Sequence, residues 1–264
     1  MFDAEKVRDK IVDWLKGYAQ DTGFDKVVIG ISGGKDSSVT AALCARALGK
    51  DNVYGVMLPD GKQKDIFDSY RVCEALGIKR TEVNIGEIHK ALIQQLGFAK
   101  DGDEFGLHYS KEADINVPPR LRMTILRYIA QTLGARLVGT GNLSEITVGY
   151  FTKDGDQSCD FSLLGNLTSV EVVQVGLTMP ELPADLVNKT PSDGLCGKSD
   201  EEKLGISYQD IHEYIRNNYA FMHKNRKVYD RIYNMWVKNL HKINSPEMYE
   251  LNLLLKEEFY GKGV

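Results

Sequence analysis

Six consecutive residues, Ser32-Gly33-Gly34-Lys35-Asp36-Ser37, carry the plainest chemistry in the sequence. Glycines let backbone N–H groups approach a phosphate with no Cβ in the way. A helix starting just after them leaves N–H donors unpaired, with a partial positive charge behind them. The carboxylate is the unusual part. Asp36 would repel a polyphosphate unless a divalent cation stood between them, so the loop calls for Mg²⁺ together with phosphate. The spelling is not Walker A, because Asp36 follows Gly34-Lys35 and Ile29 stands where the first glycine belongs. The G-x-G-x-x-G spacing of a dinucleotide fingerprint is also missing. A solvated glycine-rich turn with no ligand is the bland alternative, and the strand–helix context weighs against it.

That context is an alternation of strands and helices. Val27-Val28-Ile29-Gly30-Ile31 reads as a fully buried parallel strand, and 38–48 as a helix ended by Gly49. An amphipathic helix over 3–20 opens the chain, with Val7, Ile11, Trp14, Leu15 and Tyr18 on one face for core packing or a subunit contact. A strand at 53–58, a helix at 65–76, a strand at 81–85 and a helix at 87–96 follow. Residues 98–117 lack a period and read as a surface connection; a helix at 120–133 begins after Pro118-Pro119, and a fourth strand lies at 136–140. The pattern predicts an α/β fold, a doubly wound parallel sheet with helices on both faces. Ligands in such sheets sit beyond the carboxyl ends of the strands. The fourth strand delivers a second glycine loop, Gly139-Thr140-Gly141-Asn142-Leu143-Ser144-Glu145, to that same edge. Glu145 there is a candidate second metal ligand facing Asp36; on its own it reads as a solvated or capping carboxylate.

Composition narrows the class. With 264 residues, 42% hydrophobic, and a net charge of −4, the chain has the make-up of a globular enzyme with no basic excess for a polyanionic partner. No apolar stretch approaches a membrane span, and the start of the chain has no signal-peptide apolar region. Cys44, Cys73, Cys159 and Cys196 are scattered without a C-x-x-C pair, which argues against a zinc site or disulfide framework and fits a reducing cytoplasm. Cys44 and Cys73 read as buried small hydrophobes. A basic run from Arg216 through His223, Lys224, Arg226, Lys227 and Arg231 could mark an RNA footprint, although its helical spacing favours a solvated face.

The first loop resembles the pyrophosphate loop of the N-type ATP pyrophosphatases, whose fold is Rossmann-like (adenine nucleotide alpha hydrolase-like). The later motifs narrow the resemblance to ammonia-dependent NAD synthetase. They are Gly139 to Glu145, Gly149-Tyr150-Phe151-Thr152-Lys153-Asp154-Gly155-Asp156, Lys189-Thr190-Pro191-Ser192-Asp193, Glu202-Lys203-Leu204-Gly205-Ile206-Ser207-Tyr208, and the closing pair His241-Lys242. What this resemblance implies is ATP-dependent amidation of deamido-NAD by ammonia. An acyl adenylate forms on the way, and AMP and pyrophosphate are released. It implies that Gly30, Ile31, Ser32, Gly33, Gly34, Lys35, Asp36 and Ser37 hold the ATP phosphates, with Thr140, Ser169 and Ser192 also on ATP. Asp36 and Glu145 are the implied Mg²⁺ ligands. Arg120, Lys153, Asp160, His241 and Lys242 are expected to hold deamido-NAD, with Asp36, Lys153 and Asp160 in catalytic roles and Asp160 orienting or deprotonating ammonium. A homodimer with deamido-NAD at its interface is implied as well, in one NAD synthetase domain over 1–264 with no glutaminase domain. No membrane or nucleic-acid partner is expected.

Two departures stand out. Ser169 occupies the place of a lysine that in the family reaches the ATP phosphates, so Lys35, Lys189 or Lys198 must substitute or turnover is slow. Gln157-Ser158 replaces a usual Gly-Gly. Residues 153–160 and 190–203, polar and rich in Gly, are expected to order over substrate. An RNA-modifying ATP pyrophosphatase and a non-catalytic nucleotide-binding module are the rival readings.

Overall fold

A computed structural model of the protein describes residues 2–97, 107–189 and 199–244. Five parallel strands form one sheet: β1 (Val27–Gly30), β2 (Val53–Met57), β3 (Lys79–Glu82), β4 (Arg136–Gly139) and β5 (Phe161–Ser162), in the order β3-β2-β1-β4-β5. The chain moves outward from β1 to β2 to β3, then returns to the other side of β1 with β4. Val27 pairs with Val53 on one flank and with Arg136 on the other. The strand order therefore reverses between β1 and β4, and the crevice at their carboxyl ends is where such sheets take ligands.

Burial explains the arrangement. Val27, Val28 and Ile29 are fully buried, as a central parallel strand covered on both faces requires. The outermost β3 is polar and exposed along its length, which blunts the open edge. It begins two residues before the expected 81–85 and ends at Glu82. Val83 and Ile85 still donate to the Met57 and Pro59 carbonyls, so the chain stays beside β2. β5 has two residues, too short for any alternation to announce it.

Helices cover both faces. α1 (Ala4–Thr22), α2 (Lys35–Leu48), α3 (Ile66–Leu76), α4 (Gly86–Leu96), α5 (Lys111–Ile115) and α6 (Val117–Leu133) precede β4. α7 (Leu143–Val148), α8 (Ser169–Leu177), α9 (Ala184–Val187), α10 (Asp200–Leu204), α11 (Tyr208–Arg216), α12 (Asn218–Lys224) and α13 (Arg226–Ile243) follow it. Leu15, Leu43, Val72 and Val175 pack α1, α2, α3 and α8 against Val27 and Ile29. The next residue of the strand, Val28, faces the other way, into a cluster with Val56, Leu137 and Ala130 of α6. A third cluster, including Val148, Tyr208, Ile211 and Ile232, joins α7 to α11 and α13. Cys44 and Cys73 are buried as expected. Trp14, expected on the inner face of α1, is 50% exposed and stacks on Tyr18 with ring centroids 5.0 Å apart. Inside 98–117, expected to be irregular, Ser110 caps the short α5 by accepting from the Ala113 amide. α6 starts at Val117, three residues before the expected 120, with Pro118 and Pro119 absorbed into its first turn.

Candidate active site

The loop between β1 and α2 owes its shape to Gly33. Its φ is +78°, and a Cβ there would lie 2.8 Å from both the Asp68 Cβ and the Ser69 backbone nitrogen of α3. Glycine is therefore needed twice, for the left-handed conformation and for the close approach to α3. Ser32 and Ser37 close the loop from inside: the Ser32 amide donates to Ser37 Oγ at 3.3 Å, and the two hydroxyls are 3.1 Å apart. Gly34 stands at the N-cap with no side chain to cap α2. The first backbone bond of the helix runs from the Ser38 amide to the Gly34 carbonyl. The amides of Lys35, Asp36 and Ser37 thus start an uncapped helix at the crevice, an arrangement suited to an anion.

The second loop meets the first through Asn142. This fully buried residue caps α7 by accepting from the Glu145 amide at 3.2 Å, while its own amide donates to Glu145 Oε2 at 3.0 Å. The Asn142 side chain also donates to Asp36 Oδ1 at 3.0 Å, tying the loop after β4 to the loop after β1. Glu145 is thereby a capping carboxylate and a neighbour of Asp36 at once. Burial, followed by the charge of Asp36, pushes the Glu145 carboxyl up to about 8, with Lys35 opposing. Two facing carboxylates, made of hard oxygen donors, fit a divalent cation such as Mg²⁺. Lys35 reaches the same carboxylate. Its ammonium donates to Asp36 Oδ2 at 2.7 Å and stands 5.3 Å from the centre of the Tyr208 ring. Burial works against that charge, but the neighbouring carboxylates of Asp36, Glu145 and Asp200 outweigh it and raise the pKa of Lys35. Tyr150 and Tyr208 both donate to Asp200, completing this wall.

A second group of expected residues gathers around the turn after α7. Arg120 Nε donates to the Lys153 carbonyl at 3.3 Å, Lys153 Nζ to the His241 carbonyl at 2.8 Å, and Lys242 Nζ to the Gly149 and Phe151 carbonyls at 3.0 and 3.1 Å. Arg120, Lys153, His241 and Lys242, drawn from α6, the turn and α13, therefore form one cluster. Asp156 links this group to the first: its carboxylate accepts from the Thr152 amide at 2.8 Å, and its charge acts on both Glu145 and Lys242.

Two residues stand apart from the roles expected of them. Asp160 is engaged on both oxygens, one in an ion pair with Arg127 and the other accepting from the Leu137 amide at 2.8 Å. Burial works to raise its pKa, but the Arg127 and Leu137 hydrogen bonds hold the carboxyl below its ordinary value. A carboxylate so stabilised is a poor proton acceptor, and here it clamps β4 to the segment entering β5. Ser169 is buried in the first turn of α8, with its amide donating to Ser144 Oγ at 3.1 Å, a structural position. Lys189 is held by Asp65 and Asp68 at 2.8 and 2.7 Å. The Gln157 side chain lies against Gly141, where a Cβ would meet its Oε1 at 3.0 Å. Thr140 sits at the mouth of the crevice, directly after β4. Ser192 and Lys198 lie outside the described residues. In the basic run at 216–231, Arg216 pairs with Glu171, Arg226 with Asp230 on the surface and Arg231 with the Leu204 carbonyl, while His223, Lys224 and Lys227 are exposed on α12 and α13. Asn142, the joint between the two loops, was not among the expected site residues. The Asn-x-x-Glu spacing announced its cap but not its reach to Asp36.

The family model of NAD synthase matches residues 7–246. The chain is 34% identical over 255 residues to the NH3-dependent NAD+ synthetase of Archaeoglobus fulgidus, spanning 95% of this chain and 99% of that one. It is 40% identical over 210 residues to the NH3-dependent NAD+ synthetase of Methanocaldococcus jannaschii, spanning 78% of each. Among solved structures, NMN synthetase from Francisella tularensis matches with a TM-score of 0.81 and 28% identity, over 95% of this chain and 100% of that one.

Proposed function

The chain belongs to the NAD synthase family, and on that premise we propose that its crevice carries out the ATP-dependent amidation of deamido-NAD to NAD with ammonia. The observation that carries this reading is the meeting of Asp36 and Glu145 through Asn142, beside an uncapped helix start at the strand-order reversal. The nicotinate carboxylate is a poor electrophile. Its oxygen attacks the α-phosphorus of ATP, pyrophosphate leaves, and the acyl adenylate then yields amide and AMP to ammonia. The loop Gly30 to Ser37 cradles the departing pyrophosphate with its backbone amides, while Arg120, Lys153, His241 and Lys242 orient the nicotinate nucleotide. Thr140 stands where it would touch the nucleotide, and Ser192 is kept as a nucleotide contact by resemblance. Asp36 and Glu145 would hold Mg²⁺, which supplies neutralisation of polyphosphate charge when bound. Asp160 serves as the clamp described above, so the base for ammonium is not assigned to it.

A homodimer fits this reading. Tyr233, Trp236 and Val237 expose apolar surface on α13, the helix that ends in His241 and Lys242. No described helix is long and apolar enough to cross a membrane, and a cytoplasmic setting suits a biosynthetic ligase. The decisive experiment is a mass balance with ATP, Mg²⁺, ammonium and deamido-NAD. Equimolar NAD, AMP and pyrophosphate are expected; ADP and phosphate, or AMP without amide, overturn the reading. A second acceptor is favoured by the similarity to NMN synthetase across the whole of that chain. Nicotinate mononucleotide in the same assay separates the two, since the true acceptor has the higher kcat/KM.

A further inference from the structure

Lys35 is the first residue of α2, and its side chain is only 3% exposed. A cation at a helix N-terminus is opposed by the helix dipole and, when buried, by lost hydration. What holds it here is carboxylate: Asp36 Oδ2 at 2.7 Å, with the charges of Glu145 and Asp200 acting on it, and the ring of Tyr208 as a wall. The other oxygen of Asp36 already accepts from Asn142. The ammonium therefore occupies Asp36 Oδ2, the oxygen that Asn142 leaves open to a metal ion. Accepting the assignment of Asp36 and Glu145 as metal ligands made above, we propose that Lys35 and the divalent cation compete for Asp36 Oδ2, so that metal enters this site with the nucleotide and not ahead of it.

The physical reason is charge balance. A dication on Asp36 removes the partner of Lys35 and places two positive centres side by side in a poorly solvated wall, next to a positive helix end. Metal alone is disfavoured by that repulsion. A polyphosphate at the start of α2 reverses the balance, because its oxygens offer the displaced ammonium a new partner within one side-chain length of the helix turn that carries it. Nucleotide and metal are then coupled reciprocally through Lys35.

The test is Mn²⁺ binding to the full chain, read from the loss of the free-ion electron paramagnetic resonance signal, with and without α,β-methylene-ATP. Without nucleotide, Lys35→Met is expected to bind Mn²⁺ roughly tenfold to a hundredfold tighter than the parent, the size of one charge-assisted hydrogen bond. With the analogue present, that advantage shrinks or reverses. Lys35→Gln repeats the measurement if the Met variant does not fold. Equal Mn²⁺ affinity of parent and variants without nucleotide overturns the competition while leaving the metal site intact, provided both bind the ion with the analogue. A parent chain that binds Mn²⁺ as tightly without nucleotide as with it overturns the competition without recourse to any variant. No Mn²⁺ bound by any of the proteins, even with the analogue, overturns the carboxylate assignment and the competition together.

Discussion

Glu145 and Glu171 occupy the same place in two successive capping boxes, and the chain uses them for opposite ends. Each is the third residue of its helix, and each returns a carboxylate oxygen to the N-cap amide, at 3.0 Å in α7 and 2.8 Å in α8. Beyond that shared local bond, the surroundings diverge. Arg216 donates to both oxygens of Glu171, at 2.8 and 2.6 Å, and the Ser169 amide beside it is taken by Ser144. Glu145 instead faces Asp36, a like charge. Burial works to raise both carboxyls; Arg216 and Thr168 reverse the effect at Glu171, while Asp36 adds to it at Glu145. One motif thus closes a helix for stability. The other keeps a carboxylate in an unfavourable electrostatic position, which suits the cation site proposed above.

The comparison is broken or sharpened first by removing each charge. Glu145→Gln and Asp36→Asn are expected to lower kcat/KM by about 10²–10³-fold, the usual weight of one electrostatic contact in a transition state. Asp36→Asn strands the buried Lys35 ammonium and should lower the melting temperature, whereas Glu145→Gln only relieves a like-charge contact and should hold or raise it. Glu171→Gln should do the reverse: about 1–3 kcal/mol less stable in urea, with kcat unchanged. The range is set below that of a fully buried pair because Arg216 is 38% exposed. A Glu171→Gln enzyme that lost activity at full stability would erase the distinction. Next in size are the caps. Thr168→Ala should cost about 1 kcal/mol of stability alone. Asn142→Ala should cost a similar amount and lower activity as well, because Asn142 also holds Asp36.

The same contrast shows how much was legible beforehand. The β1 loop and the start of α2 could be read because everything they need is local: an apolar strand, glycine at a positive φ, and an uncapped helix. The alternating elements likewise gave the parallel sheet and its reversal. What local pattern does not carry is pairing across the chain. Asn142 and Asp36 are 106 positions apart, and Arg127 and Asp160 are 33. That Asp160 is tied down, or that Ser169 is enclosed by Ser144 and a capped turn, follows only when α6, α7 and α8 are packed around the sheet. Family motifs marked these residues along the chain and said nothing of their neighbours. The four residues of the second cluster were gathered from α6, a turn and α13, and only folding brings those elements together.

The smallest expected effect is also the cleanest check on Glu171. Although burial acts to raise its pKa, the Arg216 and Thr168 hydrogen bonds hold the folded value below the ordinary 4.5. A carboxyl depressed in the folded state contributes stability that is complete above the unfolded value and is lost as pH falls through the folded one. The stability gap between the parent and Glu171→Gln should therefore be flat from neutral pH down to about 5 and close progressively below the unfolded value near 4.5. Urea midpoints measured for both proteins between pH 7 and 3.5 would follow it. A gap that stays constant across that window would mean that shape and hydrogen bonding, and not the charge on Glu171, close the α8 terminus. The contrast with Glu145 would then rest on packing alone.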